Sequence, residues 1–248
     1  MARRASPTSA GCDMRGVILE TRPMDVFCQM AADEILAVEP RDAFVLRFFN
    51  WNQKAVTFGY AQFFSEVKKQ LPDWAAASGV TRRPTGGGIV LHDSDITFSC
   101  SFPCETSVAP MTIYSRLHTA VCAELSARGI GVDLAKGSKD DPGYRPSNGG
   151  HAGECFKNPV ALDIVRTGGE KVLGGAIRKF SGSALYQGSL QLAQARKREA
   201  ELRLCVMRGA AKAWDLKWTT EKADGEFEAR VVELARTKYR RPDWVGKF

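Results

Sequence analysis

The chain has 248 residues, 44% hydrophobic and 25% charged, and its 35 basic and 28 acidic side chains leave a net charge of +7. That is the composition of an ordinary globular protein, and no apolar run approaches the length of a membrane span. Seven cysteines, an odd number at scattered spacings with no CxxC pair, speak against a disulfide framework and a structural zinc, and make the cytoplasm the expected compartment.

Residues 1–15 are basic but have no hydrophobic segment behind them, so they read as a disordered start ahead of a single domain over 16–248. Met24, Phe27, Ala31, Ile35 and Val38 recur at helical spacing and predict a first helix over 24–38, ended by Pro40. Strands follow at 43–51 and 55–60, then a broken helix over 65–78 that Pro72 restarts and Gly79 ends. Further strands are expected at 80–83, 88–92 and 96–102. Thr112 is the expected N-cap of an amphipathic helix carrying Ile113, Leu117, Val121 and Leu125, stopped by Gly129. His118 within it reads as a surface or satisfied core histidine rather than a ligand.

Residues 136–158 are polar and glycine-rich, and loops of that length within a domain are usually functional or disordered. Val160–Val165 and Lys171–Ile177, joined through Gly168-Gly169, form a hairpin signal. A strand over 184–192 precedes helices at about 195–211 and 226–239, a short helical C-terminal extension whose connector holds Trp214 and Trp218. Runs of strands interrupted by helices give an α+β fold. The basic runs at 194–198 and 236–241 could dock an acidic protein or simply solvate helix faces. No zinc-finger, RNP-type or GXXG pattern supports nucleic-acid binding.

The most informative segment is Arg82-Arg83-Pro84-Thr85-Gly86-Gly87-Gly88-Ile89-Val90-Leu91-His92-Asp93. Three glycines let a backbone approach a ligand, and the flanking arginines and His92-Asp93 put charge and donors on both sides of it. The pattern is neither GxGxxG nor a P-loop. Arg82 and Arg83 could contact a polar substrate head or partner, or pair with Asp93 and Asp95. His92 could orient a neighbour or transfer a proton. Cys155 stands apart from Cys28, Cys100, Cys122 and Cys205, which lie in apolar periodic segments, because it sits in a polar loop at the threshold of a strand. Lys171 begins the second strand of the hairpin, beside Gly174, Gly175 and Ala176, whose small side chains would leave room for a slender ligand. The role of Asp163 is open between packing and salt bridging.

This run, continuing through Ser94-Asp-Ile-Thr-Phe-Ser99, resembles the lipoate-protein ligase and octanoyltransferase superfamily, which shares its fold with biotin protein ligase. Met30–Ala37, Leu46–Asn52, Thr57–Gln62, Gly153–Pro159, Lys171–Ala176 and Gln187–Leu190 fall in the same order, so that the resemblance covers roughly residues 16–192. It implies a biotin-protein-ligase-like, class II synthetase-like mixed β-sheet flanked by helices. It also implies Cys155 as the acyl-thioester residue of the cysteine-dependent octanoyltransferases and Lys171 as the group that approaches the acyl carbonyl. Arg83, Gly86, Gly87, Gly88, His92, Gly174, Gly175 and Gly188, with Ser189 beside the last, are the expected substrate-binding positions, and backbone N–H groups near the glycine-rich region or strand 174–176 would help hold an oxyanion.

The implied reaction moves an octanoyl or lipoyl group from a carrier, with acyl carrier protein as the expected donor. The acceptor would be a lysine of a lipoyl-domain protein such as the glycine cleavage H protein or a 2-oxoacid dehydrogenase E2. It needs no cofactor, no metal, no nucleic acid and no membrane. Two alternatives remain. One is a ligase that uses ATP and Mg²⁺ with Lys171 and no nucleophilic cysteine; the other is a silent protein that only binds lipoyl domains.

Overall fold

The computed structural model describes residues 14–39, 41–136, 156 and 159–248. In chain order these form β1 (Arg15–Glu20), α1 (Val26–Val38), β2 (Phe44–Phe48), β3 (Ala55–Phe58), α2 (Phe64–Lys68), β4 (Gly79–Arg82), β5 (Val90–His92), β6 (Ile96–Pro103) and α3 (Pro110–Ser126). The second half adds β7 (Val132–Leu134), β8 (Ile164–Arg166), β9 (Lys171–Phe180), β10 (Ser183–Leu190), α4 (Glu199–Trp214), β11 (Lys217–Lys222), α5 (Gly225–Leu234) and α6 (Pro242–Val245).

Eight strands make one mixed sheet in the order β11-β1-β2-β6-β10-β9-β8-β7, and β4-β3-β5 make a second, smaller one. β1 lies parallel to both β2 and β11, whereas the pairs from β2 across to β7 are antiparallel. The alternation of a strand sends successive side chains to opposite faces, and β2 shows what each face meets. Phe44, Leu46 and Phe48 join the core under α3 and α4, with Leu117, Val121, Leu202 and Val206. Val45 and Phe49 join a second core under α1 and α5, with Met30, Ile35, Phe227 and Val231. The mixed sheet flanked by helices is the architecture the resemblance implies.

Several expected boundaries move. α1 starts at Val26, where the Asp25 carboxylate accepts from the Cys28 amide at 3.0 Å, and Val38 is exposed rather than on the apolar face. α3 begins at Pro110 after Ala109, not at a Thr112 cap: proline's missing N–H costs nothing in the first turn, where no partner exists. The strand expected over 160–165 is shorter and later, at Ile164–Arg166. β1, β7 and β11 were not expected as strands; β11 contains Trp218 and occupies what reads as a connector. Met14 and Arg15 of the expected disordered start are described, Arg15 within β1, while residues 1–13 and most of the long loop, including Cys155, lie outside the described residues.

Candidate active site

The larger sheet presents alternate residues of β9 and β10 toward the smaller one. Antiparallel pairing sets Gly174 opposite Ser189, Gly175 opposite Gly188 and Ala176 opposite Gln187. Between the sheets lies a cleft enclosing about 420 Å³ of empty space, part of it open to solvent, lined by apolar Met30, Phe49, Val90 and Phe156 and by Arg83, His92, Gly174, Gly175 and Gly188. With Ser189, which also lines it, six of the expected site residues meet in one place. The loop glycines Gly86, Gly87 and Gly88 do not line it. They surround Arg83 instead, whose guanidinium donates to the carbonyls of Gly86 and Gly88 at 2.8 Å each and to the Thr57 hydroxyl at 3.0 Å.

The close backbone approach that the glycines permit is to the protein itself. Gly87 has φ +89°, and its carbonyl lies so near Gly59 that a Cβ there would overlap it. Arg82 is fully buried and donates to the carbonyls of Gln62 at 2.8 Å, Trp244 at 3.1 Å and Val245 at 2.8 Å. The two carboxylates that could have paired with the arginines are engaged elsewhere: Asp93 pairs with Lys54, and Asp95 pairs with His92.

Both ring nitrogens of His92 are engaged. Nδ1 lies 2.9 Å from Asp95 Oδ2, Nε2 lies 2.8 Å from the Thr57 hydroxyl, and Trp51 stacks on the ring with centroids 4.6 Å apart. Burial alone would raise the Asp95 carboxyl, but the His92 ring and hydrogen bonds from His92, Ser189 and Thr97 outweigh it and hold the group below its ordinary 3.8. His92 is therefore built into the wall of the cleft.

Lys171 sits one step outside the cleft. It is buried, its Nζ 2.8 Å from Asp163 Oδ2 and 5.2 Å from the centre of the Phe156 ring. A Cβ on Gly174 would overlap the Lys171 side chain, and one on Gly175 or Gly188 would overlap the Tyr186 ring. The room that small residues leave is thus occupied by Lys171 on the cleft side and by Tyr186 behind the sheet. The Gly175 N–H is likewise taken, donating to the Tyr114 hydroxyl at 3.1 Å, so it is no spare oxyanion donor. Asp163 resolves as a buried acceptor for Lys171, for the Val160 amide at 2.7 Å and for the Tyr114 hydroxyl. His118 is a satisfied core histidine, with Nδ1 on the Leu162 carbonyl and Nε2 on the Tyr186 hydroxyl, 2.8 Å each.

Sequence reasoning missed a buried polar network that reaches the cleft through Gln187. Arg47 and Asp33 form a fully buried ion pair; Gln187 donates to Asp33 at 2.7 Å and accepts from Thr85 at 2.6 Å, tying α1 and β2 to the glycine-rich loop. The available signal was charge set within two apolar segments, Asp33 in Ala-Ala-Asp-Glu-Ile and Arg47 in Leu-Arg-Phe-Phe, since charges are buried only when paired. The basic runs, by contrast, are largely neutralised locally: Arg196 by Glu199, Arg198 by Glu201, Arg236 by Glu233 and Arg240 by Asp25.

Comparison with known proteins places this architecture. The chain is 32% identical over 187 residues to the octanoyltransferase LipM of Moorella thermoacetica, a match covering 71% of this chain and 64% of that protein. It is 30% identical over 174 residues to octanoyltransferase LipM of Bacillus subtilis, covering 66% and 60%. The chain thus spans somewhat less than two thirds of the length of these relatives. Among solved structures, a lipoate-protein ligase A bound with ATP superposes with a TM-score of 0.72 at 21% identity, covering 95% of this chain and all of that one. A bi-partite lipoate protein ligase, studied with its E2 lipoyl domain from Thermoplasma acidophilum, gives 0.67 at 20%, covering 95% and 98%. These likenesses show the shared fold. Residues 25–236 match the family model of the lipoyl protein ligase A/B catalytic domain, and the chain belongs to that family.

Proposed function

We propose that the protein is an octanoyltransferase of protein lipoylation, taking an octanoyl group from a carrier thioester onto Cys155 and passing it to a lysine of a lipoyl-domain protein. The observation that carries this reading is the cleft itself: a largely apolar, partly open cleft between the two sheets, with the buried Lys171–Asp163 pair against Gly174 at its rim. Phe156, the residue after Cys155 in the chain, lines the same cleft beneath the Lys171 ammonium. The LipM relatives support octanoyl as the group transferred.

In the first half-reaction the Cys155 thiolate attacks the thioester carbonyl, the carrier thiolate leaves and takes a proton, and the octanoyl group remains on sulfur. In the second, the neutral amine of the acceptor lysine attacks that thioester, the Cys155 thiolate departs, and the nitrogen gives up one proton to water as the amide forms. Both steps place negative charge on the carbonyl oxygen, which the Lys171 ammonium meets. A thioester is already activated, so neither step calls for ATP. The rival reading, an ATP-dependent ligase, is favoured by the three consecutive glycines and by the fold shared with ligase A.

Intact-mass measurement after incubation with octanoyl-acyl carrier protein, without ATP or Mg²⁺, should show one hydroxylamine-sensitive octanoyl adduct that Cys155→Ser lacks. A lipoyl domain added next should become modified. If modification needs octanoate or lipoate with ATP and Mg²⁺, and Cys155→Ser performs it as well as the parent, the protein is a ligase.

A further inference from the structure

Behind the larger sheet, on the face away from the cleft, α3 carries two residues one helical turn apart that both reach the chain just before β8. Tyr114 donates its hydroxyl to Asp163 Oδ1, and His118 lies 2.8 Å through Nδ1 from the carbonyl of Leu162. Their rings stack with centroids 3.9 Å apart. The carbonyl can only accept, so Nδ1 carries the proton, and Nε2 of the neutral ring accepts from the Tyr186 hydroxyl. Every polar atom of the histidine is thereby fixed.

Leu162 is where such a hold is needed. Its φ is +71°, a left-handed conformation that a side chain branched at Cγ rarely adopts, and one that persists only where the surroundings impose it. Besides the His118 bond, its amide donates to the Ala135 carbonyl at 3.0 Å, and the Ala135 amide donates to the Asp163 carbonyl at 2.7 Å. This corner aims the next side chain, Asp163, across the end of the sheet, where one carboxylate oxygen meets Tyr114 from behind and the other meets Lys171 on the cleft side.

We infer that Tyr114 is a positioning residue for acyl transfer: with His118 it locks the Leu162–Asp163 corner, and through the Asp163 carboxylate it sets the Lys171 ammonium at the rim of the cleft. The hydroxyl also accepts from the Gly175 N–H, so one atom ties the wall of the cleft to the carboxylate that holds Lys171. Tyr114 touches no substrate itself. The inference rests on Lys171 meeting the acyl carbonyl, the role given it above.

The test is Tyr114→Phe, which keeps the ring stack and removes only the hydroxyl, checked for folding by circular dichroism. Two readouts are taken. Brief labelling with limiting acetic anhydride, followed by mass spectrometry of the Lys171 peptide relative to exposed Lys69, reads how firmly the ammonium is held. Steady-state octanoyl transfer from octanoyl-acyl carrier protein to a lipoyl domain reads the chemistry. Lys171 labelling should rise several-fold in the variant, and kcat should fall by about tenfold at an unchanged KM for the carrier, because a misplaced group costs the transition state and not binding.

Labelling as in the parent protein, whatever happens to kcat, overturns the inference. Increased labelling with an unchanged kcat supports the positioning of Lys171 and instead removes Lys171 from the acyl step, which counts against the proposed chemistry. If the phenylalanine variant does not fold, Tyr114→Met, which also lacks the donor, and Asp163→Asn, which weakens the grip directly, take its place under the same readouts.

Discussion

Removing the Lys171 ammonium should have two separable effects, because the group serves both the fold and the reaction. Lys171→Met strands the fully buried Asp163 carboxylate without its counter-charge, which costs about 3–5 kcal/mol, read as a lower urea midpoint. Turnover should fall by about 10²–10³-fold. Lys171→Met combined with Asp163→Leu should recover much of the stability and none of the turnover; recovery of both would make Lys171 structural only. His118 offers a second residue-level check. Burial pushes its imidazole from 6.5 down to about 3, with Lys171 nearby adding to the effect and the Leu162 carbonyl partly opposing it. Between those values the unfolded chain binds a proton that the folded chain refuses, so this stability is complete above pH 6.5 and drains away as pH falls, by about 1.4 kcal/mol per unit. His118→Gln should therefore flatten the loss of stability between pH 7.5 and 4.5, and parallel curves for the two proteins would refute the assignment. Lys171, His92 and Gly188 could be picked out of the sequence because each sits in a short motif of unusual composition. Tyr114 could not, since an aromatic residue at helical spacing looks like core whether or not its hydroxyl has work to do.

At the scale of elements, the segment after α5 shows how a local irregularity aims a long connection. A π-turn over Ala235–Tyr239 widens the helix by one residue, and the Tyr239 carbonyl accepts from the Thr81 hydroxyl of β4 at 2.9 Å. The chain then crosses β4, where Arg82 gathers carbonyls from both the Gly59–Gln62 turn and α6. A planar guanidinium spreads five donors over a rigid fork and so reaches carbonyls on two sides at once, whereas the three donors of an ammonium all sit on one nitrogen at the end of a flexible stem. Arg82→Lys should lower the melting temperature by about 2–8 °C, as expected for a loss of about 1–2 kcal/mol in a chain of this size, and speed hydrogen exchange at residues 244–248. Unchanged exchange there would mean that α6 holds its place without Arg82. Most helices and central strands were legible, because burial on a defined face imposes a period on the sequence. β11 was not: Lys-Trp-Thr-Thr-Glu-Lys is polar and largely exposed, and it is a strand because β1 offers it a free edge, which no local pattern records.

Across the whole molecule, the site is assembled where two sheets face each other, so its residues come from segments that are distant in sequence. Arg83 and His92 arrive on the small sheet, Gly174 and Gly188 on the large one, and the Arg47–Asp33–Gln187–Thr85 chain couples the two. Sequence motifs identified pieces of each wall; the buried network that joins them depends on tertiary packing of single charges and could only be seen in the fold. The parallel pairing of β1 with β11 carries a further consequence, for synthesis rather than catalysis. Arg15 stands opposite Lys217 and Glu20 opposite Lys222, so the outer edge of β1 waits for residues made about two hundred positions later. A nascent chain can already join β1 to β2, but it must carry an open strand edge until residues 217–222 have been translated. During that interval, β1 of one copy can be captured by β11 of another, so the exchange of this strand between molecules is the misassembly this topology invites.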